Sequence, residues 1–291
     1  MTSPERLALY TRVAERSAST VIAGYSTSFR AASRLLAGDV RQHVENIYAL
    51  VRIADEIVDG AAEDARLDRE TAAQALDELE RDTATAIERG YSANLVLHAF
   101  AGTARQAGFG TELTAPFYAS MRMDLTRAEH DAESFERYVY GSAEVVGLMC
   151  LRVFERGRPA DPARTARLEE GARRLGAAFQ KVNFLRDLAA DFEALGRSYF
   201  PGVDVARFTE ADKHRILDDI DADLHASAAT IPELPASARR AVALAQGVFT
   251  ELAERIRRTP ADQLLRSRVR VPDPVKLRIA AAAAAGWVPK P

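Results

Sequence analysis

An all-α fold is predicted for this chain of 291 residues from three observations. Apolar residues recur with the helical period of about 3.6 through long stretches, and period-two alternation never lasts more than a few residues. Glycines and prolines cluster between those stretches. Alanine, the strongest helix former, occurs 55 times, and only four lysines are present, so nearly all the positive charge is arginine, another good helix former. A GC-rich genome would produce the same bias unaided, but the helices benefit either way. No repeat of fixed period and no compositional break marks a linker, so residues 1–291 are read as a single domain, a bundle of about ten helices.

The elements follow in order. Leu7 to Ala23 is the first expected helix, ending at Gly24 and a polar turn from Tyr25 to Ser28. Val40 to Val58 is helical in period and stops at Gly60. From Leu67 to Ile87 the apolar residues stand widely spaced between charges, as on an outer helix, with Gly90 as its stop. Leu95 to Ala107 comes next, and Thr114 as N-cap with Pro116 in the first turn opens a helix to Arg127. Phe135 to Phe154 is the most apolar segment and belongs in the interior. Asp161-Pro162 is a cap-and-start signal for a helix continuous to Ala194. Thr209 with Asp212 resembles a capping box, and Thr259-Pro260 and Asp273-Pro274 repeat the cap-then-proline pattern.

Charge and cysteine usage narrow the function classes. With 39 basic and 42 acidic residues the net charge is -3, without the basic excess of a nucleic-acid binder. One cysteine excludes an intramolecular disulfide framework and fits a reducing compartment. The first ten residues are polar and charged, unlike a secretory signal, and no apolar run reaches the roughly 18 residues of a membrane span. A soluble, cytoplasmic protein is expected.

Two polar stripes carry the chemical signal. Tyr48, Arg52, Asp55 and Asp59 fall within roughly 60° of one another at about 100° per residue, with Glu56 further round. Asp55 and Asp59 stand one turn apart with like charge, which costs a helix about 0.2–0.5 kcal/mol, so something else must favour them unless both face water. Gln180, Asn183, Asp187 and Asp191 spread over roughly 80° of a second helix, opposite Val182, Phe184, Leu185 and Leu188. Amide and carboxylate oxygens inside a bundle suit a hard cation such as Mg²⁺, which usually shares its ligands with a substrate phosphate. Either stripe alone is as well explained by a solvated helix face; two together on helices fit for burial point to a divalent metal and diphosphate. His43, His98, His130, His214 and His225 lack metal-ligand spacing and read as surface or satisfied residues. Cys150 reads as an inert core residue, and the acidic run from Asp218 to Asp223 as a solvated face.

Several blocks carry a family resemblance. Tyr25-Ser26-Thr27-Ser28-Phe29, then Ile47 to Asp59, Tyr138 to Leu148, Asn183 to Asp191 and Gly196-Arg197-Ser198-Tyr199-Phe200-Pro201 stand in the order of the squalene/phytoene synthases, and within that family the chain is most similar to the bacterial phytoene synthases. The resemblance implies an isoprenoid-synthase helical bundle around a central cavity. It implies head-to-head condensation of two geranylgeranyl diphosphates to phytoene through a cyclopropylcarbinyl diphosphate, a step of carotenoid biosynthesis. Asp55, Asp59, Asp187 and Asp191, completed by Asn183, match the positions that hold diphosphate through Mg²⁺, or Mn²⁺ in its place, and Gln180 matches a flanking polar position. Ser26, Ser28, Tyr48, Arg52 and Arg186 match positions around the diphosphates, as do Tyr199 and Arg268, and Tyr140 matches a tyrosine near the reacting carbons. The aromatic faces of Phe29 and Tyr140 would favour an allylic cation.

Two positions depart from the family pattern: Thr27 replaces a frequent lysine, and Glu144 enters an interior block that is often Val-Ala-Gly. No glycine-rich dinucleotide fingerprint is present, so no NADPH is expected. The same chemistry on farnesyl diphosphate, giving dehydrosqualene or squalene, stays open, as do a class I terpene cyclase and a non-catalytic helical assembly factor of the same fold. Prenyl diphosphates are the expected partners, without nucleic acid. A hydrocarbon product with no polar handle implies peripheral membrane contact.

Overall fold

The computed structural model describes residues 3–26, 32–159, 161–195 and 197–290, with side chains at 5–26, 32–159, 161–189 and 197–290. Among them lie thirteen α-helices and no β-strand, an isolated bridge between Glu129 and Ser198 aside. They are α1 (Ser3–Tyr25), α2 (Gly38–Val58), α3 (Ala61–Asp64), α4 (Arg69–Arg89), α5 (Leu95–Ala107), α6 (Thr111–Thr126), α7 (Ala132–Val139), α8 (Val145–Phe154), α9 (Pro162–Leu195), α10 (Glu210–Ala228), α11 (Ala236–Arg258), α12 (Ala261–Leu264) and α13 (Asp273–Ala284). None of the described helices is long and apolar enough to cross a membrane.

Local signals set many boundaries. Asp68, Asn94 and Asp131 cap α4, α5 and α7 by accepting from backbone N–H groups of the first turn, and Thr209 and Asp212 form the expected capping box on α10. Gly90, at φ 72°, ends α4 in the left-handed region that a side chain would disfavour.

Other expectations need correction. Helix α6 begins at Thr111, not at Thr114, so Pro116 lies inside it. Glu112 stabilises that early start by accepting from the Gly110 N–H at 2.9 Å. The interior segment 135–154 is broken by one π turn, Tyr140–Glu144, between α7 and α8. Such turns insert a residue into the ladder and rotate the next stretch of helix, often at functional sites. Helix α11 has no counterpart among the expected elements, although its buried face (Ala238, Ala241, Leu244, Phe249, Leu252, Ile256) recurs with helical period. The acidic run 218–223 is not simply solvated. Helix α10 packs beside α9 and α11, so Asp223 is buried and paired with Lys181 at 2.8 Å and Arg174 at 3.1 Å, while Asp218 and Asp221 meet Arg257.

One apolar cluster joins α2 to α4–α6 and α8, and a second joins the C-terminal half of α9 to α10, α11 and the 199–208 segment. Helices α8 and α9 approach closely where both carry glycine. A Cβ on Gly147 would stand 2.5 Å from the Ala172 carbonyl oxygen, and one on Gly176 would stand 2.6 Å from that of Ala143.

Candidate active site

A cavity of about 1040 Å³ opens between α2, α8, α9 and α11. Its lining changes character along two helices. On α2, Val44, Ile47 and Val51 give way to Arg52 and Asp55 toward the C-terminus; on α9, Leu168, Leu175 and Phe179 give way to Gln180, Asn183 and Arg186. The helical repeat that keeps one face inward therefore places an apolar stretch and a polar stretch in one space.

Of the first stripe, Tyr48, Arg52 and Asp55 line the cavity. Ser26 lines it too and shares a hydrogen bond with Tyr48. Arg52 sits over the Tyr25 ring at 4.4 Å and pairs with Glu56. Its Nη1 stands 3.9 Å from Asp55, whose side chain is 38% exposed to the cavity. Surrounding protein pushes the Asp55 carboxyl up to about 7, a rise that Arg52 only partly offsets.

Asp59 departs from the stripe. Helix α2 ends at Val58, and Asp59, its C-cap with φ −141°, turns to an ion pair with Arg197. Behind it lies a network that sequence reasoning missed. Arg197 donates to the Asp124 carbonyl at 2.7 Å and stands 3.6 Å from its carboxylate. That carboxylate accepts from Tyr138 at 2.8 Å and from Tyr199 at 3.2 Å. Tyr199 also stacks on Phe184 with ring centroids 3.8 Å apart. Burial raises the Asp124 carboxyl to about 8, with the Asp59 charge adding to it and Arg197 opposing. Burial likewise raises Asp59, against the pull of Arg197. Asp124 has no sequence signal, because the other acid of α6, Glu112, lies in its first turn, far from it. Tyr138 and Arg197 stand inside recognised blocks without an assigned role.

Of the second stripe, Gln180 and Asn183 line the cavity. Asp187 is held by neighbouring Arg186 and by Arg268, which bridges both carboxylate oxygens at 2.7 and 3.0 Å. The pairing brings residue 268 to α9 across 81 positions of sequence. Asp191 lies one turn further along α9, its side chain outside the described residues, as are Thr27, Ser28, Phe29 and Arg30 altogether. Arg270 and Lys276, also missed, line the cavity beside Arg268.

Three side chains differ from their expected places. Tyr140 is not among the cavity-lining residues; the π turn carries it into the first apolar cluster, with Arg173 over its ring at 5.5 Å. Glu144 pairs with Arg173 at 2.6 Å instead of altering the lining. Cys150 faces the cavity, where burial pushes its thiol up to about 12 and keeps it neutral.

Oxygen atoms dominate the donor set of Asp55, Asp59, Asn183 and Asp187. Among the described residues no three His, Cys, Asp or Glu side chains converge on one point; arginines compensate the carboxylates instead. The raised Asp55 carboxyl, 3.9 Å from its nearest cationic partner among those residues, is nonetheless the environment that a hard divalent cation would relieve. The chemistry of the donor set, oxygen throughout, suits such an ion, though of these four residues only Asp55 and Asn183 line the cavity.

Comparison with known proteins gives a consistent picture. The family model for squalene/phytoene synthase matches residues 22–274. A phytoene synthase of Pseudescherichia vulneris is 27% identical over 260 residues, covering 82% of this chain and 81% of that protein. A 15-cis-phytoene synthase of a Paracoccus species is 31% identical over 179 residues, 61% of this chain, and the match spans only 56% of that relative. The crystal structure of a dehydrosqualene synthase superposes with a TM-score of 0.79 at 22% identity, covering 94% of this chain and 96% of the other, which establishes a shared isoprenoid-synthase fold.

Proposed function

The chain belongs to the squalene/phytoene synthase family, and on that premise we propose that it condenses two geranylgeranyl diphosphates head to head into phytoene. The observation that carries this reading is the polarity of the cavity: acidic and basic side chains share one stretch, and apolar walls line the rest. A prenyl diphosphate has the same division. We read residues 1–291 as one domain, because helices from both halves of the chain line that cavity.

Each group of residues has its own part in the reaction. Arg52, Arg186, Arg268 and the newly found Arg270 and Lys276 would bind and orient the diphosphates, with Ser26 and Tyr48 donating hydroxyl hydrogen bonds. Asp55, Asp59, Asn183, Asp187 and Asp191 would hold Mg²⁺ or Mn²⁺. A bound ion of this kind supplies Lewis-acid stabilisation of the departing diphosphate. Arg268 now grips Asp187, so diphosphate and metal binding would repartition an existing ion pair. Phe179, Phe249 and the aliphatic walls would exclude water from the allylic cation. Attack of the second chain's double bond on the allylic cation and loss of a proton would give a cyclopropylcarbinyl diphosphate; departure of its diphosphate, rearrangement of the resulting cation and loss of a second proton would give the triene. Tyr199, buried against Asp124 and Arg197, would brace Asp59 instead of touching substrate. No NADPH is required for phytoene.

The test is incubation with geranylgeranyl diphosphate or farnesyl diphosphate and Mg²⁺, with and without NADPH. A forty-carbon triene from the longer substrate, independent of NADPH, is the expected product. A thirty-carbon product from the shorter substrate alone would transfer the reading to dehydrosqualene or squalene synthesis, and no hydrocarbon in any tube would overturn it.

A further inference from the structure

Arg197 stands between two carboxylates of unequal freedom. Its side chain is 9% exposed, and one guanidinium nitrogen, Nη1, pairs with Asp59 while lying 3.6 Å from the Asp124 carboxylate. The other, Nη2, donates to the Asp124 carbonyl oxygen at 2.7 Å. Asp124 is fixed: its side chain is 2% exposed, and Tyr138 and Tyr199 both donate to its carboxylate. Those rings are held in turn. Tyr199 lies against Phe184 and His130, with ring centroids 3.8 and 5.8 Å away, and Tyr138 meets His130 edge to face at 5.1 Å. Next to Arg197, the Ser198 N–H donates to the Ala128 carbonyl at 2.8 Å and fastens that strip of chain to the segment after α6. Asp59 is freer, a C-cap at the end of α2 with its side chain 32% exposed.

A divalent cation at Asp59 has to displace Arg197, and a buried guanidinium left without a carboxylate is costly. The network supplies the replacement. With Nη2 kept on the Asp124 carbonyl as a pivot, Nη1 needs to move only about 1 Å to turn the long contact with Asp124 into a charge-assisted bond of about 2.8 Å. Burial, with the Asp59 charge adding to it, raises the Asp124 carboxyl to about 8. A guanidinium turned onto that group favours its carboxylate form, the proton leaving to solvent.

We propose that Arg197 is a movable counter-ion that passes from Asp59 to Asp124 when a divalent cation binds Asp59. Asp124 is then a positioning residue: it touches neither metal nor substrate, and it sets how readily Asp59 is released to a metal. Without it the same arginine would be a fixed competitor for that ligand. The inference rests on the reading of Asp59 as a metal ligand given above.

The probe is Mn²⁺ with inorganic diphosphate, followed by water-proton relaxation, which is enhanced when the ion is held by a protein. Asp124→Asn has the same shape but cannot become a carboxylate, and it should weaken Mn²⁺ binding about ten-fold or more, the scale on which groups behind a metal ligand act. In an Arg197→Gln background the same change should alter binding less than about two-fold, because the competitor is gone. An equal loss in both backgrounds would mean that Asp124 acts by its own charge or through folding, and would overturn the proposal. Should the asparagine variant not fold, the parent chain decides. With Mg²⁺ and diphosphate bound, its crystal structure should show Nη1 within about 3 Å of the Asp124 carboxylate, and Arg197 still paired with Asp59 would overturn the proposal. Mn²⁺ binding that Asp124→Asn leaves unchanged would overturn this inference alone. No Mn²⁺ binding by the parent would overturn the metal assignment and this inference with it.

Discussion

Two acidic helix segments look alike in sequence and differ in their surroundings. Asp218 to Asp223 on α10 and Asp55 to Asp59 on α2 each place several carboxylates within two turns. On α10 the charges are matched by partners from neighbouring helices: Lys181 reaches Asp219 at 2.5 Å and Asp223 at 2.8 Å, and Arg257 reaches Asp221 at 2.6 Å. Burial works against the Lys181 charge, but these carboxylates outweigh it and hold its pKa above the ordinary lysine value. On α2, Asp55 faces a cavity with its cationic partner 3.9 Å away and a carboxyl pushed up to about 7. Carboxylates matched by cations of their own fold read as structural; a cavity-facing carboxylate such as Asp55, whose nearest cation among the described residues is 3.9 Å away, is the better candidate for a ligand. Acidity alone does not distinguish them.

The largest test of that contrast is on activity. Asp55→Ala or Asp187→Ala should lower product formation about a hundred-fold or more, the scale of losing a group that stabilises transition-state charge, with helicity by circular dichroism unchanged. Asp219→Ala should retain near-parental turnover. Near-normal product from either variant would remove the functional half of the comparison.

The converse experiment is on stability. Asp223→Ala takes the buried carboxylate, 2% exposed, from Lys181 and Arg174. Removing one partner of a buried pair costs about 3–5 kcal/mol because the other charge stays desolvated. Here Asp219 still reaches Lys181, so about 3 kcal/mol by urea unfolding is expected, with specific activity of the folded fraction unaltered. A loss below about 1 kcal/mol would mean that α10 holds its place without this pair.

Much of this could be read from sequence where a helix face was uninterrupted. Residues Tyr48, Arg52, Asp55, Gln180 and Asn183 all line the cavity, as face arithmetic on regular helices implies. The arithmetic held less well elsewhere. Asp59 is a C-cap and leaves the stripe, Asp187 on α9 is taken up by Arg186 and Arg268, and the π turn carries Tyr140, a position expected from the family resemblance, away from the lining. Asp124 and the partners of the acidic run were illegible for another reason. Their meaning lies in contacts between residues far apart in sequence, 73 positions for Arg197 with Asp124, and one sequence without tertiary contacts does not contain those pairings.

A third test rests on the sign of the Asp55 shift. Between its ordinary value of 3.8 and about 7 the folded protein keeps a proton that the unfolded chain has released. Through this group stability is therefore greatest below the lower value and falls as pH rises to about 7, after which it is level. Asp55→Asn has the same shape without the charge. In metal-free buffer its melting temperature should exceed the parent's by a few degrees at pH about 8 and by much less at pH about 5. Parallel curves would show that Asp55 is not strained by its surroundings and would leave α2 no different from α10.

The smallest effect belongs to Arg257. It pairs with Asp218 at 3.2 Å and Asp221 at 2.6 Å, but these carboxylates are mostly exposed, so solvent and salt screen both contacts. Such pairs are worth about 0.2–1 kcal/mol, and Arg257→Ala should fall in that range by urea unfolding, shrinking further in high salt. The side-chain change spares the Arg257 carbonyl, which accepts from the buried Lys213 at 3.2 Å, so the end of α11 keeps its anchor. A loss much above 1 kcal/mol would extend the structural role of the acidic run beyond Asp223 to its solvent edge. The expected small loss would confine that role to the one aspartate that the helices enclose.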